Sequence, residues 1–493
     1  MSIRASSYAL GRVLELFGLA LLVPTAVAIG YLDSVWPFLV PLAIALVGGY
    51  ALERGNRSVG RVGMREVFLI IPLAWLVIAG LGTLPYLLSP DGLHRFADAF
   101  LESMAGVTTT NVSVVADPGT LPRSLLFWRQ FSQWLGGLGV IVLTLALLPR
   151  LRIGGREPRR EVQPGEEAEQ LSRNVYRIAR RFGIFYLALT VIAVAILALF
   201  GAFELDEKMG FFDAVGIAMA AVSSGGFSTH AGSLASFSAS TQWAVLVVML
   251  LAGANLLLVF GALVRRELRP LLRDAETRLY LLLALAGALA VWVALTSRHG
   301  WSGWHSLRQA LFQAVSYLTT TGFTTANVAT WPVAATAVLV GLLLIGGCAG
   351  SLAGSQKVMR ALLVGKLLRR ELVQVVHPQA VLHIRLNRRP VDELALRSVM
   401  VFVLMFFGLL ATGTIALSLD AARIDLTLDA FHSIADAAAA LANGGPGLGI
   451  AGPLGSFAPF SDLSKLILSG LMLLGRLEIL PVFVLFTKSY WRA

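Results

Sequence analysis

Charged residues and cysteine are the scarcest features of this sequence. Asp, Glu, Lys and Arg make up 14% of its 493 residues, whereas a soluble domain carries about 25%. The single cysteine, Cys348, excludes an intramolecular disulfide framework. The sequence has no spaced Cys/His cluster and no Gly-Lys-Ser/Thr phosphate loop, which argues against a metal centre and a nucleotide site. No small-residue cleavage site follows a short apolar core at the start, so we predict no removable signal peptide.

The sequence contains many long apolar stretches, which soluble proteins lack. Hydrophobic residues make up 56% of the chain, and stretches such as 67–88, 182–203 and 243–264 each reach the roughly 20 residues that cross a bilayer. One such stretch would also suit a buried helix of a soluble protein, but no soluble core of this length needs so many. The sequence therefore predicts an all-α polytopic membrane protein, which begins with a pair of helices at 8–32 and 35–52.

The net charge of +11 is concentrated between the apolar stretches. Such clusters are typical of cytoplasmic loops, so we predict that the clusters and both termini lie on the cytoplasmic side. The same distribution argues against nucleic-acid binding. The clusters occupy 54–65, 150–181, 265–278, 357–389 and 488–492.

After the N-terminal pair, one pattern occurs four times: an apolar helix, a short mixed segment, a Thr/Ser/Gly-rich stretch and a second apolar helix. The short segments begin at Leu93, Met209, Ser306 and Thr427. A helix of about 15 residues reaches ~22 Å, which is too short for ~30 Å of hydrocarbon, so we expect half-helices that enter the membrane and stop. The predicted units are the helix pair at 1–62 and pore repeats at 63–160, 161–270, 271–375 and 376–493.

The stretch after each half-helix is similar in all four repeats. The strings are TTTNVS from Thr108, SSGGFSTH from Ser223, TTTGFTT from Thr319 and NGGPGLG from Asn443. An acidic or amide residue precedes each motif: Asp98 lies 13 residues before Asn111, Asp213 12 before Gly225, Gln309 13 before Gly322 and Asp429 16 before Gly445. Repetition on this scale indicates one structural unit copied into a pseudo-fourfold ring.

Four such stretches around an axis suit a permeating cation. Non-helical backbone at membrane depth is tolerated only where it lines a cavity or is buried in protein. Carbonyl oxygens turned towards the axis replace the hydration shell of the ion. Half-helices that end at the axis place a partial charge of about −0.5 beside it. The alternative, that Gly and Thr only help helices to pack in lipid, does not explain four copies after four short helices.

The sequence resembles the Trk/Ktr/HKT superfamily of potassium transporters, most closely its bacterial TrkH-type members. The resemblance spans GVTTTN, SSGGFSTH, TTTGFTTAN, GGCAGS, NGGPGLG and the terminal GRLEILPVFVLFTKSYWR. It implies potassium uptake across the bacterial inner membrane, no enzymatic activity and no cofactor besides the transported ion. It also implies a homodimer and a cytosolic nucleotide-binding subunit of the TrkA type. The basic loops at 150–181 and 357–397 offer surface for that subunit.

The resemblance implies one potassium filter per subunit, and its residues are the only metal ligands that we expect. By motif position the ring consists of Asn111, Gly225, Gly322 and Gly445. The flanking filter residues are Thr109, Thr110, Ser223, Ser224, Thr320, Thr321, Asn443 and Gly444.

Asn111 departs from the family, which usually has glycine there. Asparagine tolerates positive φ better than most residues, so a filter can still form. Related plant transporters with serine at this place tend to favour sodium, which leaves a sodium-permeable or poorly selective transporter as the alternative.

A run of small residues in the third repeat implies, by the same resemblance, an intramembrane gate loop below the filter. It comprises Gly346, Gly347, Cys348, Ala349, Gly350 and Ser351. Glycines weaken a helix by ~1 kcal/mol each relative to alanine, and the alternative is a close contact between helices. The SLAGSQK run from Ser351 is less glycine-rich than in the family. Arg476, inside the last apolar stretch, is implied to be a cation barrier near the gate; the alternative is an anchor to Glu478 or to a carbonyl.

Two other functions fit single features. A secondary carrier has inverted repeats, whereas all four short segments here lie on the side opposite the arginines. An intramembrane hydrolase would use Ser228 and His230, which are separated by one residue just after a filter stretch.

Overall fold

The computed structural model describes residues 3–55, 63–147, 164–299, 303–380 and 382–492. Within these ranges most residues are helical and the only strands are two of two residues each, which confirms the predicted all-α fold. The arginines at 57, 61 and 150–160, and the predicted unit boundaries at 62 and 160, lie outside the described residues.

The N-terminal unit contains α1 (Ile3–Ala20), α2 (Leu22–Tyr31) and α3 (Trp36–Arg54). The first two form one apolar span that breaks at Leu21, where Pro24 cannot donate a backbone hydrogen bond to the preceding turn. Helix α3 packs on α1 with backbones in close approach. A Cβ on Gly11 would lie 2.7 Å from Gly49 O, and one on Gly49 would lie 2.8 Å from Gly11 O. Two facing glycines therefore set this contact.

The four repeats follow in order along the chain. The first contains α4 (Met64–Leu88), α5 (Phe96–Val107) and α6 (Arg123–Leu147). The second contains α7 (Pro164–Ala202), α8 (Phe211–Val222), α9 (Ala239–Gly253) and α10 (Leu256–Arg265), and the short α11 (Arg269–Arg273) follows it. The third contains α12 (Ala275–His299), α13 (Trp304–Leu318), α14 (Val333–Ile345) and α15 (Val358–Val376). An antiparallel hairpin, β1 (Arg385–Leu386) and β2 (Arg389–Pro390), leads to the fourth, with α16 (Glu393–Arg423), α17 (Ala430–Leu441), α18 (Asp462–Arg476), α19 (Leu480–Val484) and α20 (Lys488–Arg492).

The half-helices α5, α8, α13 and α17 are confirmed, with 12, 12, 15 and 12 residues. A helix of 12 residues is ~18 Å long and cannot cross the hydrocarbon. They lie at the centre of the bundle, where close packing favours alanine and glycine. In α17, for example, every residue from Ala437 to Leu441 is buried.

The longer helices surround this centre. Six of the described helices are long and apolar enough to cross a membrane, and α9 with α10, bent by 107°, makes a seventh. In three repeats the apolar helix that follows the half-helix and its loop is interrupted. The interruptions lie between α9 and α10, between α14 and α15, and between α18 and α19. In the first repeat, α6 runs through without a break. Each interruption leaves backbone N–H and C=O groups without helical hydrogen bonds, so these groups need other partners.

Candidate functional site

Each half-helix ends in the same backbone turn. The second residue past the last helical one has positive φ in every repeat: Thr109 (51°), Ser224 (55°), Thr320 (54°) and Asn443 (50°). The next residue then donates its N–H to the carbonyl five positions back, at 2.8–3.0 Å. These bonds are Thr110 to Ala105, Gly225 to Ala220, Thr321 to Ser316 and Gly444 to Ala439. This left-handed helix ending fixes a common register for the four loops.

The register corrects one predicted ring member. Gly225 lies level with Thr110, Thr321 and Gly444, so Gly226 is the counterpart of Asn111, Gly322 and Gly445. By the same register, Ser223 corresponds to Thr108 and Thr319. Those two residues come one position before the predicted flanking residues of their loops. The prediction for Gly225 was thus wrong by one residue. A signal was present in the sequence, because the 13-residue spacing from Asp98 to Asn111 leads from Asp213 to Gly226.

The ring glycines have little room for a side chain. Gly226, Gly322 and Gly445 have φ of 77°, 83° and 144°, where side chains are disfavoured. The φ of Asn111 is not positive, so formation of the ring does not depend on the tolerance of asparagine for positive φ.

Direct contacts join three pairs of neighbouring loops. A Cβ built on Gly226 would lie 1.8 Å from Thr321 O, and one on Gly322 would lie 2.6 Å from Gly445 O. The Asn111 N–H donates to Gly444 O at 2.9 Å. The second loop therefore touches the third, the third the fourth, and the fourth the first.

Gln133 closes the ring between the first and second loops. From α6 its Nε2 donates to Thr110 O at 3.2 Å and to Gly225 O at 2.7 Å, while its Oε1 accepts from Phe227 N. The four loops thus form one closed ring in which the first loop stands opposite the third.

Side chains of the loops brace the ring from behind and below. The hydroxyls of Thr108 and Thr110 are 2.9 Å apart, and those of Thr319 and Thr321 are 2.8 Å apart. In the fourth loop, Asn443 Nδ2 donates to Met472 O at 2.7 Å. These residues are fully buried. The predicted filter residues are therefore brought together, and the side chains of Thr110, Thr321 and Asn443 hold the loops in place.

The predicted break in the third repeat is confirmed, because α14 ends at Ile345 and α15 begins at Val358. Gly346 and Gly350 have φ of 79° and 75°, so the small residues serve backbone turns. Buried Cys348 donates its N–H to Gly253 O at 2.8 Å, and Leu352 donates its N–H to Ala252 O at 3.2 Å. The gate loop, residues 346–357, therefore pairs with the interruption between α9 and α10.

The gate loop also touches the ring. The Gly354 N–H donates to Thr320 Oγ1 at 2.7 Å. A Cβ on Gly354 would lie 2.0 Å from Ala442 O, at the end of the fourth half-helix. The loop thus lies directly against the inner ends of the third and fourth filter loops.

Two cationic side chains lie at this level. Arg476 is 4% exposed and donates from Nη1 to Leu352 O at 3.1 Å and from Nη2 to Thr109 Oγ1. Glu478 pairs with Arg360 at 2.8 Å, so the predicted alternative of an Arg476–Glu478 anchor is wrong, whereas the anchor to a carbonyl is present. Lys357 Nζ donates to Ala353 O and Ser351 O of its own loop.

On the side of the ring away from the gate loop, a buried ion pair supports the first loop. Arg129 Nε lies 2.7 Å from Glu102 Oε1, with side chains 2% and 0% exposed. Glu102 Oε2 accepts from Val114 N, and Arg129 Nη1 donates to Ser228 O at 3.4 Å. Sequence reasoning missed this pair. A glutamate in the middle of a half-helix, well past its first turn, was the signal that could have found it.

A cleft on the side of the ring away from the gate loop, called the outer cleft, is lined by Asn111, Ser113, Arg129, His230 and Gly322, among others. His230 Nε2 lies 3.4 Å from Asp213 Oδ1. The hydrogen bond between His230 and Ser228 runs from the histidine backbone N–H to the serine Oγ, at 3.1 Å. In this geometry the imidazole pairs with a carboxylate, which weakens the hydrolase interpretation because a serine nucleophile needs the base at its hydroxyl.

Comparison with known proteins gives consistent matches. A family model described as a cation transport protein, TrkH, matches residues 41–492. The Trk system potassium uptake protein TrkH of Salmonella typhimurium is 35% identical over 505 residues, and both chains are covered in full. TrkG of Escherichia coli is 32% identical over 506 residues, with 100% of this chain and 99% of TrkG covered. The crystal structure of the potassium transporter TrkH from Vibrio parahaemolyticus superposes with a TM-score of 0.87 at 32% identity, over all of both chains.

Proposed function

The chain belongs to the TrkH family of cation transport proteins, and from that premise we propose that it takes up potassium ions across the bacterial inner membrane through the ring of four loops. The observation that carries the proposal is that four half-helices from one polypeptide end at a single closed ring of backbone at the centre of the bundle. Such a ring offers carbonyl oxygens in place of water. The named relatives are potassium uptake proteins.

The proposed filter is the set that the observed register defines. It replaces Ser223 with Gly226 in the second loop and keeps the other predicted residues. The set is Thr109, Thr110, Asn111, Ser224, Gly225, Gly226, Thr320, Thr321, Gly322, Asn443, Gly444 and Gly445. The transported ion is the only bound metal in this proposal, and no cofactor takes part.

The gate in this proposal is the gate loop, which contains the predicted residues Gly346 to Ser351, together with Arg476. The contacts of Gly354 and Arg476 with Thr320 and Thr109 support it, because they hold the loop against the inner end of the ring. A guanidinium at that level repels a cation that leaves the filter.

We infer that the transporter works as a homodimer, with a cytosolic nucleotide-binding subunit of the TrkA type. The relatives' names refer to a Trk system, which implies further components. A basic surface of this chain supports the inference. It lies on the face where the helix ends carry arginine. Asn387 fastens the β1–β2 hairpin to the start of α12 through Ala275 N and Asp274 Oδ1, which brings exposed Arg385 and Arg389 to that face. In this arrangement that face and both termini are cytoplasmic.

Growth rescue tests the proposal. We expect the chain to restore growth of a bacterium that lacks potassium uptake at limiting K⁺, with Rb⁺ flux exceeding Na⁺ flux in the same cells. Brisk Na⁺ flux without rescue would establish the alternative, a sodium-permeable transporter of the same fold, which the side chain of Asn111 in the ring favours. Absence of both fluxes, with the protein present in the membrane and its regulatory subunit co-expressed, would reject the transport function.

A further inference from the structure

The side chain of Asn111 crosses the ring. Its Nδ2 donates a hydrogen bond to Gly322 O at 2.7 Å. Gly322 belongs to the third loop, which stands opposite the first. This hydrogen bond therefore joins two loops that are not neighbours in the ring.

The same side chain lies against all three ring glycines. Its Nδ2 is 3.2 Å from the point where a Cβ on Gly226 would stand, and 2.9 Å from the corresponding point on Gly322. Its Cβ is 3.1 Å from the corresponding point on Gly445. A group this close to the other three loops at once lies across the middle of the ring.

The amide and a cation compete for the same oxygen. A carbonyl of the ring offers its lone pairs to an ion, and the Asn111 N–H group points a positive hydrogen at the lone pairs of Gly322 O. An ion at this level therefore has to displace the amide and break its hydrogen bond.

We propose that the Asn111 amide is a tethered competitor of the transported cation, which lowers the affinity of the ring for monovalent cations. The inference rests on the proposed function, because it takes the ring to be the ion site. A neutral hydrogen bond of typical net strength corresponds to an affinity loss of about three- to tenfold. Asn111 is thus an affinity-determining residue, because its hydrogen-bond donor raises the ion concentration at which the ring fills.

Equilibrium binding of radioactive rubidium to the purified full-length protein in detergent tests this without requiring transport. Asn111→Gly removes the amide, and Asn111→Asp keeps its shape but replaces the donor with a carboxylate that attracts cations. We expect the dissociation constant for Rb⁺ to fall about three- to tenfold in Asn111→Gly, and at least as far in Asn111→Asp. The matched control is Asn327→Gly, because Asn327 only caps a short turn outside the ring.

Each outcome is decisive. Equal Rb⁺ affinities in the wild type, Asn111→Gly and Asn111→Asp would overturn the inference, as would absence of binding by all of them. The same proteins, reconstituted in liposomes together with the regulatory subunit, separate the inference from the proposed function. Tighter binding by the variants without K⁺ flux in any protein would support the competitor and reject the uptake function. Normal K⁺ flux with unchanged affinity would reject the competitor alone.

Discussion

Arg476 Nη2 donates a hydrogen bond to Thr109 Oγ1, so the C-terminal end of α18 is tied directly to the first filter loop. The other arm of the same guanidinium holds Leu352 O in the gate loop. One buried cation therefore joins the two parts of the proposed pathway, and its position depends on both.

Replacing Arg476 with glutamine should raise basal Rb⁺ flux in liposomes by at least about tenfold. At ~4 Å a unit charge repels a cation by about 4 kcal/mol at an effective dielectric constant of 20, and each 1.36 kcal/mol is tenfold in rate. Arg423→Gln is the matched control, because that arginine is 61% exposed and pairs with Asp420. Unchanged flux in Arg476→Gln would show that the arginine is only an anchor.

Gly354→Ala should also raise basal flux, by keeping the gate loop away from the ring. The new Cβ would lie 2.0 Å from Ala442 O, a backbone atom that has little room to move, so the hydrogen bond from Gly354 N to Thr320 Oγ1 should be lost. Gly365→Ala, on α15, meets nothing within 4 Å and should leave flux unchanged. Equal basal fluxes in Gly354→Ala and Gly365→Ala would show that the gate loop does not control permeation.

The repeated pattern was predictable because it depends on chain length and composition. Half-helices, the loops that follow them and the break after Ile345 follow from segments too short, or too rich in glycine, to span hydrocarbon. The position of Gly226 in the ring was missed because two adjacent glycines fit the motif. The 13-residue spacing of the first and third repeats favours Gly226, and the hydrogen bonds at the helix end establish it.

Contacts between distant residues were out of reach of the sequence. Asn111 and Gly322 are 211 positions apart, and Thr109 and Arg476 are 367 apart. No local periodicity encodes which atoms meet across a ring. The departure at Asn111 was visible, but the direction of its amide depends on three other loops, and the partners of Glu102 and Arg476 depend on the packing of separate helices.

Gly322→Ala should abolish selective K⁺ transport while Gly341→Ala leaves it intact. At Gly322 φ is 83° and a Cβ would lie 2.6 Å from Gly445 O, so the ring must distort; at Gly341 a Cβ meets nothing within 4 Å. We expect the Rb⁺/Na⁺ flux ratio of Gly322→Ala to fall to about one, or both fluxes to vanish. A wild-type ratio in this variant would place the filter elsewhere.

His230→Ala should leave the K⁺ flux within about twofold of wild type, because the imidazole pairs with Asp213 at the side of the outer cleft and holds no filter carbonyl. The same rescue assay used for the uptake function measures this. Loss of all activity in His230→Ala, together with full activity in Gly322→Ala, would revive the hydrolase interpretation.

Glu102→Gln should destabilise the protein far more than the loss of an exposed ion pair. The substitution leaves the Arg129 guanidinium, which is 2% exposed, without its carboxylate partner. Breaking a buried pair from one side costs about 3–5 kcal/mol, whereas an exposed pair contributes about 0–1 kcal/mol. The control is Asp462→Asn, which removes the partner of Arg95 from a pair 64% and 55% exposed. Thermal unfolding in detergent should therefore shift markedly for Glu102→Gln and little for Asp462→Asn. Equal shifts would mean that water reaches Arg129 and that the first filter loop does not depend on this pair.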